Sequence, residues 1–471
     1  MSKVEVLKFG GSCVTDEESL KRVSDVITTE VGLGFKPVCV VSAPKGMTDL
    51  LIEAANKALA GEDLDVDGFL EELYNYRGII SSIEDVEVRD RVSREIREDF
   101  LGRLKPSLEY VKDTGDPAPL PYIVSRGELF TAIALSGYMR GNGWKTRYFP
   151  GELVIRTDEE AMDATIDLEK TEEEVERVII PCLERGETPI VAGYAGRSGR
   201  GRITTLGRGG SDYTLTALAY ALNAPAKKYT DVDGIISYSP EIARMIREDP
   251  ELGPRFHELP KPRVIDRLSY LMAQELEEKV LQDKSLGPLK KKGLPLYVKN
   301  IYHPSGEGTK ISSEEDLEDS GVKIINVEAG LKVIRVELDP SYPKEKVLVK
   351  VWEALEDKDV RYATSTRAEM SFLLPSDKVE EAKEALMAIK EISVEEYPEE
   401  KATLSVIGYM KEKVGTLHRA TKALSAYHVN IEQVRQTLSE YIIDFSINCL
   451  LYTSDAADEG LGVDLGGRRI I

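Results

Sequence analysis

The sequence contains few of the residues that stabilise secreted or zinc-binding proteins. Its 471 residues include only four cysteines and four histidines, and their positions match neither a disulfide framework nor a zinc site. No run of 18 apolar residues occurs, which argues against a membrane-spanning helix. The first residues, Met1–Leu7, have the pattern of a strand rather than of a signal peptide. We therefore expect a reduced, cytoplasmic protein without a membrane partner.

Positive charge is also scarce. The chain has 83 acidic residues against 62 lysines and arginines, which gives a net charge of −21. Such a chain repels polyphosphate backbones, so the charge argues against a nucleic acid partner. The composition is otherwise that of an ordinary globular protein, and the length predicts about two to four domains.

The first 301 residues alternate between strand and helix patterns. Short apolar runs occur at residues 4–9, 37–42, 188–193 and 295–299, and helical patterns occur at 49–60, 65–112, 128–140 and 211–222. This alternation predicts an α/β fold, a three-layer sandwich with a mainly parallel central sheet.

The remainder of the chain predicts a different architecture. Residues 302–319 are rich in Pro, Gly, Ser and acidic residues and are predicted to be a linker. Two similar α+β modules of the ferredoxin-like type are predicted at 320–396 and 397–448. The second module is truncated, lacking its final helix and strand, and residues 322–327 are candidates for a strand that crosses over to complete its sheet.

Two glycine-rich turns are candidate phosphate sites. Lys8 is followed by Gly10, Gly11 and Ser12, and a strand-to-helix turn of this kind offers N–H groups to a phosphate. A plain β–α turn fits this short segment equally well. The second turn, Thr204–Thr214, is more specific, because it combines Arg208, Gly209, Gly210, Ser211 and Asp212. Arg208 suits a carboxylate and Asp212 lies in the first helical turn, where it also fits a simple capping role.

Two further loops precede helices. Glu128 suits a substrate ammonium group, although an acid in a first turn also complements the helix dipole. Ser42 and Thr48 offer hydroxyl groups, and Thr48 also fits an N-cap. All four loops are expected to follow strands and to meet at the carboxyl edge of the sheet. A site of this composition suits phosphoryl transfer.

The motifs K-F-G-G-S, S-R-G-E, T-L-G-R-G-G-S-D-Y-T and Y-T-D-V-D-G, in this order, resemble the aspartate kinases of the amino-acid kinase superfamily. The two C-terminal modules resemble ACT domains. The resemblance implies ATP-dependent phosphorylation of the side-chain carboxylate of L-aspartate, with Mg²⁺ accompanying the nucleotide. It implies a feedback amino acid, lysine or threonine, at the ACT modules, and a homodimer or higher oligomer.

The resemblance also implies roles for individual residues. Lys8 would stabilise the transferring phosphoryl group and Asp212 would orient Lys8. Arg208 would bind an aspartate carboxylate, Glu128 would bind its amine, and Ser42, Thr48 and Ser211 would line the site. The nucleotide would contact a larger set: Lys8, Gly10, Gly11, Ser12, Gly209, Gly210, Thr230, Asp231 and Lys279.

The nucleotide-binding segment departs from the family pattern. Ile236, Ser239 and Glu241 stand where the family usually has an aromatic residue, a different polar residue and an arginine. These changes support an alternative, a catalytically degenerate amino-acid sensor of the same fold. A kinase of a related amino acid is a second alternative, and ACT modules that serve only dimerisation are a third.

The last segment, residues 449–471, is expected to be non-native. It begins CLLYTSDAAD and ends VDLGGRRII, and both parts resemble translated sequencing adapters. We expect a chain that carries this tail to be prone to aggregation or deficient in regulation.

Overall fold

The computed structural model describes residues 4–63, 80–239, 244, 247, 261–274, 276, 283–313, 321–356, 358–366, 368–410, 414–436 and 441–448. Within these residues the chain forms two compact units. The first is built from Met1–Ile235 and Val264–Glu318, and the second from Ile236–Arg263 and Asp319–Ile471. Among the described helices, none is both long enough and apolar enough to cross a membrane.

The strands of the first unit are β1 Val4–Phe9, β2 Lys36–Val41, β3 Thr146–Phe149, β4 Arg156–Thr157, β5 Thr188–Ala192, β6 Ala195–Ser198, β7 Ile203–Thr205, β8 Ala226–Thr230, β9 Arg267–Ser269, β10 Leu296–Asn300 and β11 Thr309–Ser312. Its helices are α1 Glu17–Gly32, α2 Met47–Leu59, α3 Val86–Asp99, α4 Lys105–Thr114, α5 Leu120–Val124, α6 Arg126–Gly141, α7 Gly151–Val154, α8 Leu168–Glu174, α9 Ile180–Glu184, α10 Gly210–Leu222, α11 Tyr270–Gln274 and α12 Asp283–Lys292.

Eight of these strands form the central sheet, in the order β3-β5-β2-β1-β8-β10-β11-β9. The six strands from β3 to β10 form five neighbouring pairs that are all parallel, and β11 runs antiparallel to β10. All residues of β1 and β2 after the first are buried, on both faces of the sheet, as expected for a parallel sheet. The predicted α/β class is confirmed.

The predicted linker is shorter than expected. Residues 309–312 form β11, which pairs with β10 and β9 in the central sheet. Thr309, Ile311 and Ser312 of this strand are buried. The surrounding Pro, Gly and Ser residues are typical of a linker, so the sequence does not predict this four-residue strand.

The second unit contains strands β12 Gly321–Leu338, β13 Tyr362–Ser365, β14 Glu369–Pro375, β15 Ile392–Glu396, β16 Lys401–Tyr409, β17 Ile431–Gln436 and β18 Ile442–Asn448. Its helices are α13 Lys344–Ala354, α14 Val379–Met387 and α15 Thr416–Ala426. The strand order is β13-β14-β12-β16-β18-β17, with β15 on β12. Separate apolar cores lie under each module.

The long strand β12 belongs to both modules. Residues 331–337 pair with β14, whereas residues 321–331 pair with β16. The predicted crossover strand is therefore confirmed. Neither side of β16 is left unpaired, because β12 lies on one side of it and β18 on the other. The tail at 449–471 lies outside the described residues.

Candidate active site

The candidate site lies at the carboxyl edge of β5, β2, β1 and β8. The turns after these strands are joined by backbone hydrogen bonds: the Ser42 N–H donates to Phe9 O at 3.2 Å, and the Gly193 N–H donates to Val41 O at 3.0 Å. Parallel strands end at one edge, so these turns converge there. The predicted placement of the loops at Gly10 and Ser42 is confirmed.

Lys8 and Asp212 form an ion pair at this edge. Lys8 is the last residue but one of β1, and Asp212 lies in the first turn of α10. Their Nζ and Oδ1 atoms are 3.0 Å apart, and their side chains are only 8% and 11% exposed. Burial raises the pKa of Asp212, but the charges of Lys228 and Lys8 outweigh it and hold that pKa below its usual value. Asp212 is therefore ionised at neutral pH.

Lys228 is a site residue that the sequence analysis missed. Its Nζ donates to Asp212 Oδ2 at 2.9 Å, so the two lysines hold both oxygens of one carboxylate. Lys228 lies on β8, which was not recognised as a strand because its residues A-K-K-Y-T are largely polar. A signal was available: Lys228 stands two residues before Thr230 of the Y-T-D-V-D-G motif, and alternate residues of a strand share a face.

The turn after β1 differs from the predicted helix start. Gly11–Cys13 form a single 3₁₀ turn, and α1 begins only at Glu17, capped by Asp16. The prediction that the Gly10–Ser12 turn opens a helix is therefore wrong. The Gly10 N–H is also already bonded, because it donates to Tyr229 O at 3.3 Å. The Cys13 N–H is bonded as well, since it donates to Gly10 O at 2.8 Å.

Gly11 is required by close packing. A Cβ atom at this position would lie 2.7 Å from Ala43 O and 3.2 Å from Lys45 N. The turn after β1 is therefore pressed against the turn after β2. Ser12 lies beside it and is half-buried.

The loop that carries Arg208 begins after β7, in the small sheet β4-β6-β7 rather than in the central sheet. Gly207 and Gly209 both have positive φ angles, 69° and 71°, which place Arg208 on an exposed bend between them. The Gly210 N–H donates to Gly207 O at 3.0 Å, so that amide is engaged within the loop. A Cβ atom at Gly193 would lie 2.6 Å from the Ser211 Oγ, which shows how closely this loop approaches the end of β5.

Glu128 opens α6, which follows α5 rather than the predicted strand. Its side chain nevertheless reaches the turn after β2, where the Ala43 N–H donates to its carboxylate. Glu128 is 4% exposed, and its Oε2 has no hydrogen-bond partner. Burial raises the pKa of Glu128 to about 7. The carboxylate is thus desolvated and has one free oxygen for a cationic ligand.

The remaining predicted residues lie around this centre. Ser42 and Thr48 are half-buried, and the N-cap of α2 is Gly46 rather than Thr48. Thr230 is the last residue of β8 and Asp231 follows it, and the Thr230 Oγ1 donates to Asp231 Oδ1 at 3.0 Å. Lys279 and Glu241 lie outside the described residues.

The geometry defines a class of site. One buried lysine and one half-buried lysine share one carboxylate at the carboxyl edge of a parallel sheet, next to glycine turns and a desolvated carboxylate. Concentrated positive charge of this kind suits a phosphoryl-transfer enzyme, where charge stabilisation and positioning dominate.

The family model of the amino acid kinase family matches residues 3–250. Among relatives, Aspartokinase 2, chloroplastic, of Arabidopsis thaliana is 26% identical over 466 residues, which cover 94% of this chain and 81% of that protein. Aspartokinase 3 of Bacillus subtilis is 27% identical over 467 residues, 94% of this chain and 95% of that protein. The chain belongs to the amino acid kinase family.

Solved structures agree with the fold. Escherichia coli aspartokinase III in complex with aspartate and ADP (R-state) matches with a TM-score of 0.75 and 24% identity, covering 94% of this chain and 96% of that one. The same enzyme in complex with lysine and aspartate (T-state) matches with a TM-score of 0.71 and 23% identity, covering 95% and 96%.

Proposed function

We propose that this chain is an aspartate kinase, which transfers the γ-phosphoryl group of ATP to the side-chain carboxylate of L-aspartate. The products are ADP and 4-phospho-L-aspartate, the first intermediate of aspartate-family amino-acid synthesis. The observation that carries this proposal is the buried Lys8–Asp212 ion pair at the sheet edge. The relatives over 94% of the chain are named aspartokinases.

The reaction needs positive charge more than it needs a base. The nucleophile is a carboxylate oxygen that is already ionised, so no proton has to be removed. A bond forms between this oxygen and the γ-phosphorus, and the bond from that phosphorus to the β–γ bridging oxygen breaks. Lys8 offsets the charge of the transferring group, and Asp212 holds Lys8 in position. Because both oxygens of Asp212 are held by lysines, it acts as an orienting group.

The substrate groups have matching partners. The free Oε2 of Glu128 suits the ammonium group of aspartate, and Arg208 suits a carboxylate through two parallel N–H bonds. Ser42, Thr48 and Ser211 are our candidates for further contacts with the substrate. The nucleotide phosphates would lie over the turn of Gly11 and Ser12 and over Gly209, with Thr230 and Asp231 beside them.

Mg²⁺ would bind at this site together with the nucleotide phosphates. The Asp212 carboxylate is occupied by two lysine ammonium groups, so it does not suit a cation. Mg²⁺ commonly binds through substrate phosphates with one or two carboxylates. Asp231, exposed at the end of β8, is suited to that role. The ion would neutralise phosphate charge there.

We propose that the ACT-like modules of the second unit serve regulation and assembly. We infer that the two ACT-like modules bind a feedback amino acid, because the E. coli relative is described in complex with lysine. Gly415, with a φ of 87°, is the N-cap of α15, and we propose that the effector binds at this turn. A homodimer and a cytoplasmic location remain predictions.

An ADP-release assay on the full chain tests this function. L-Aspartate with Mg-ATP is expected to give turnover, whereas L-glutamate, N-acetyl-L-glutamate and no acceptor are expected to give background release. Turnover with another of these acceptors would change the substrate assignment. A folded protein that binds ATP without any turnover would favour the alternative of a degenerate sensor.

A further inference from the structure

Arg126 is a buried cation two residues before Glu128. Its side chain is 2% exposed and lies in the first turn of α6. The Nη2 atom donates to Glu152 Oε1 at 3.1 Å, and the Glu152 side chain is 9% exposed. A positive and a negative charge are therefore paired out of solvent, close to the carboxylate that we assign to the substrate ammonium group.

The guanidinium group of Arg126 also joins α5 to α6. Its Nε donates to Tyr122 O at 3.0 Å, and its Nη2 donates to Ser125 Oγ at 3.1 Å. Its Cζ atom lies 4.2 Å from the centroid of the Tyr122 ring, and the Tyr122 hydroxyl donates to Asp99 Oδ1 at 3.1 Å. The last carbonyl groups of a helix have no partner within it. Arg126 supplies one at this junction and so fixes the direction in which α6 begins.

Close packing holds the same helical turn. A Cβ atom at Gly127 would lie 2.7 Å from the Ala43 Cβ and 3.0 Å from the Met47 Cγ. The backbone of α6 is thus pressed against the turn after β2. The Ala43 N–H of that turn donates to Glu128, so the position of this carboxylate depends on how the first turn of α6 is held.

The partner of Arg126 is held in place as well. Glu152 follows Gly151, where a Cβ atom would lie 2.6 Å from Ala192 O and 2.7 Å from Ala195 O. The start of α7 is therefore pressed against the end of β5 and the start of β6. Through the ion pair, the first turn of α6 is connected to this part of the central sheet.

Stability alone does not account for this ion pair. Desolvation offsets much of the attraction between two buried charges, and apolar residues of similar volume often serve as well. The charge of Arg126 has a further effect, because it and the charge of Lys8 lower the pKa of Glu128 against the larger effect of burial. Arg126 thus favours the ionised form of Glu128, which is the form that binds an ammonium group.

Other titratable groups lie near the pair. Tyr194 is close to Glu128 and is uncharged at neutral pH, because burial raises its pKa. Asp99 is close to Arg126, and burial raises the pKa of Asp99 as well. Neither group is replaced in the variants below, so differences among those variants report the ion pair itself.

We propose that Arg126 is a positioning residue for Glu128, and that Glu152 sets how strongly the positive charge of Arg126 acts on that carboxylate. This inference rests on the proposed kinase function, in which Glu128 binds the ammonium group of aspartate. The pair acts through Glu128 and makes no contact with the reacting atoms. It keeps a buried carboxylate ionised and correctly oriented for its ligand.

The first test uses two substitutions with opposite expected effects. The readout is the midpoint, the pH at which KM for L-aspartate is halfway between its high and low plateaus. Arg126→Met removes the positive charge and is expected to raise the midpoint by about one pH unit. Glu152→Gln removes the counter-charge of Arg126 and is expected to lower the midpoint by about half a unit to one unit. In both variants kcat at saturating aspartate is expected to stay within about threefold of the wild type, because the pair acts on substrate binding.

Three further variants serve as controls. Arg126→Lys retains the charge and is expected to recover most of the shift. The double variant Arg126→Met/Glu152→Gln leaves no unpaired charge and is expected to have a midpoint between those of the single variants. Glu174→Gln takes a carboxylate from Arg156, whose Nη2 lies 2.6 Å from Glu174 Oε1 in another ion pair of the first unit. It is expected to leave the midpoint unchanged.

The ionisation of Glu128 is also measured without catalysis. For the wild type and each variant, the free energy of unfolding in urea is compared with that of the same protein carrying Glu128→Gln, from pH 5 to pH 9. The gain from Glu128→Gln is expected to level off at a higher pH and a larger value in Arg126→Met, and at a lower pH and a smaller value in Glu152→Gln. This readout holds even if the chain phosphorylates an acceptor other than aspartate, so it separates a failure of the inference from a failure of the proposed function.

Shifts in the same direction in both variants, or no shift in either, would overturn the proposal and leave the pair a structural connection between α6 and α7. Glu152→Gln alone keeps the proposal testable if Arg126→Met does not fold. An unchanged or raised midpoint in a folded Glu152→Gln variant would contradict it.

Discussion

Aspartate binding is expected to depend on pH through the carboxyl group of Glu128. Its pKa of about 7 arises from burial, opposed by hydrogen bonds from the Ala43 and Glu128 amides and by the charges of Arg126 and Lys8. Binding of the substrate ammonium requires the ionised form. The ionised fraction of a group with this pKa rises about tenfold between pH 6 and pH 8.

The first prediction concerns aspartate binding. KM for L-aspartate is expected to fall about tenfold from pH 6 to pH 8, following the ionisation of Glu128. Steady-state kinetics across this range measure it, with Glu128→Gln as the comparison. The variant should have a high KM with little pH dependence. A KM that is flat with pH in the wild type would remove Glu128 from the ammonium site.

The second prediction concerns stability. Between the ordinary pKa of 4.5 and the folded-state value of about 7, the folded protein keeps a proton on Glu128 that the unfolded chain has lost. The free energy of unfolding therefore decreases as pH rises through this interval. Glu128→Gln removes this penalty, so the variant is expected to be more stable than the wild type at pH 8, by up to about 3 kcal/mol.

Urea unfolding of both proteins at pH 5 and pH 8 measures this difference. The gain should be small at pH 5, where Glu128 is largely protonated in the folded state. A gain of equal size at both pH values would mean that the burial of Glu128 is not what penalises its charge.

Individual residues differ in how well the sequence predicted them. Lys8 and Asp212 were assigned to one site, and the structure brings them together. Lys228 was missed because hydrophobic periodicity does not detect a strand with two lysines. The sequence does not predict that the Gly10 and Gly210 N–H groups already donate hydrogen bonds. These bonds depend on the contact with Tyr229 and on the bend at Gly207.

Among the elements, β1 and β8 carry a second ionic cluster on the face away from Asp212. Lys227 Nζ lies 2.8 Å from Glu5 Oε2 and 2.7 Å from Glu30 Oε1. Glu5 is 1% exposed, and burial raises its pKa to about 7. One lysine thus compensates two buried carboxylates that belong to β1 and α1.

The third prediction follows from this cluster. Lys227→Met leaves Glu5 and Glu30 without their cation and is expected to lower the free energy of unfolding by about 3–5 kcal/mol. Urea unfolding measures the change, and Lys36→Met, whose lysine has no such role, is the control. Equal stabilities of the two variants would show that the cluster adds little.

The fourth prediction concerns the contact between the turns after β1 and β2. Gly11→Ala places a methyl group 2.7 Å from Ala43 O, so the turn after β1 must move. We expect a loss of about 1–3 kcal/mol in stability and weaker binding of ATP. Gly32→Ala is the matched control, because a Cβ atom there meets nothing within 4 Å. Unchanged ATP affinity in Gly11→Ala would separate this turn from the nucleotide site.

Long elements were predictable and short ones were not. The apolar run of β1 and the helical periods of α2 and α10 correspond to observed elements. The placement of the Glu128 loop after a strand failed, because the five-residue helix α5 contains a proline and has no clear period. The strand β11 is only four residues long, and the sequence around it predicts a linker instead.

At the scale of the whole molecule, the candidate active site and the ACT-like modules lie in different units. The described catalytic candidates all belong to the first unit, whereas both ACT-like modules belong to the second. The division into an α/β part and tandem modules was predicted from the change in pattern over residues 302–319. That β12 serves both modules follows from pairing over long sequence distances, which local patterns suggest only weakly.

The fifth prediction concerns regulation. In a chain that ends at Asn448, without the tail, L-lysine is expected to inhibit aspartate-dependent turnover, and Gly415→Val is expected to weaken this inhibition, since a β-branched side chain is strained at a φ of 87°. Inhibition curves for L-lysine and L-threonine measure the effect. Unchanged inhibition in the variant would place the effector elsewhere, and the absence of inhibition by either amino acid would indicate modules that serve assembly only.

The measurement that tests the central claim most directly is detection of the acyl phosphate itself. The full chain is incubated with Mg-ATP, L-aspartate and hydroxylamine, and the aspartyl hydroxamate is quantified beside Lys8→Met. The account predicts hydroxamate in amounts equal to the ADP released, and none above background in the variant. ADP release without hydroxamate, or equal hydroxamate from Lys8→Met, would contradict it.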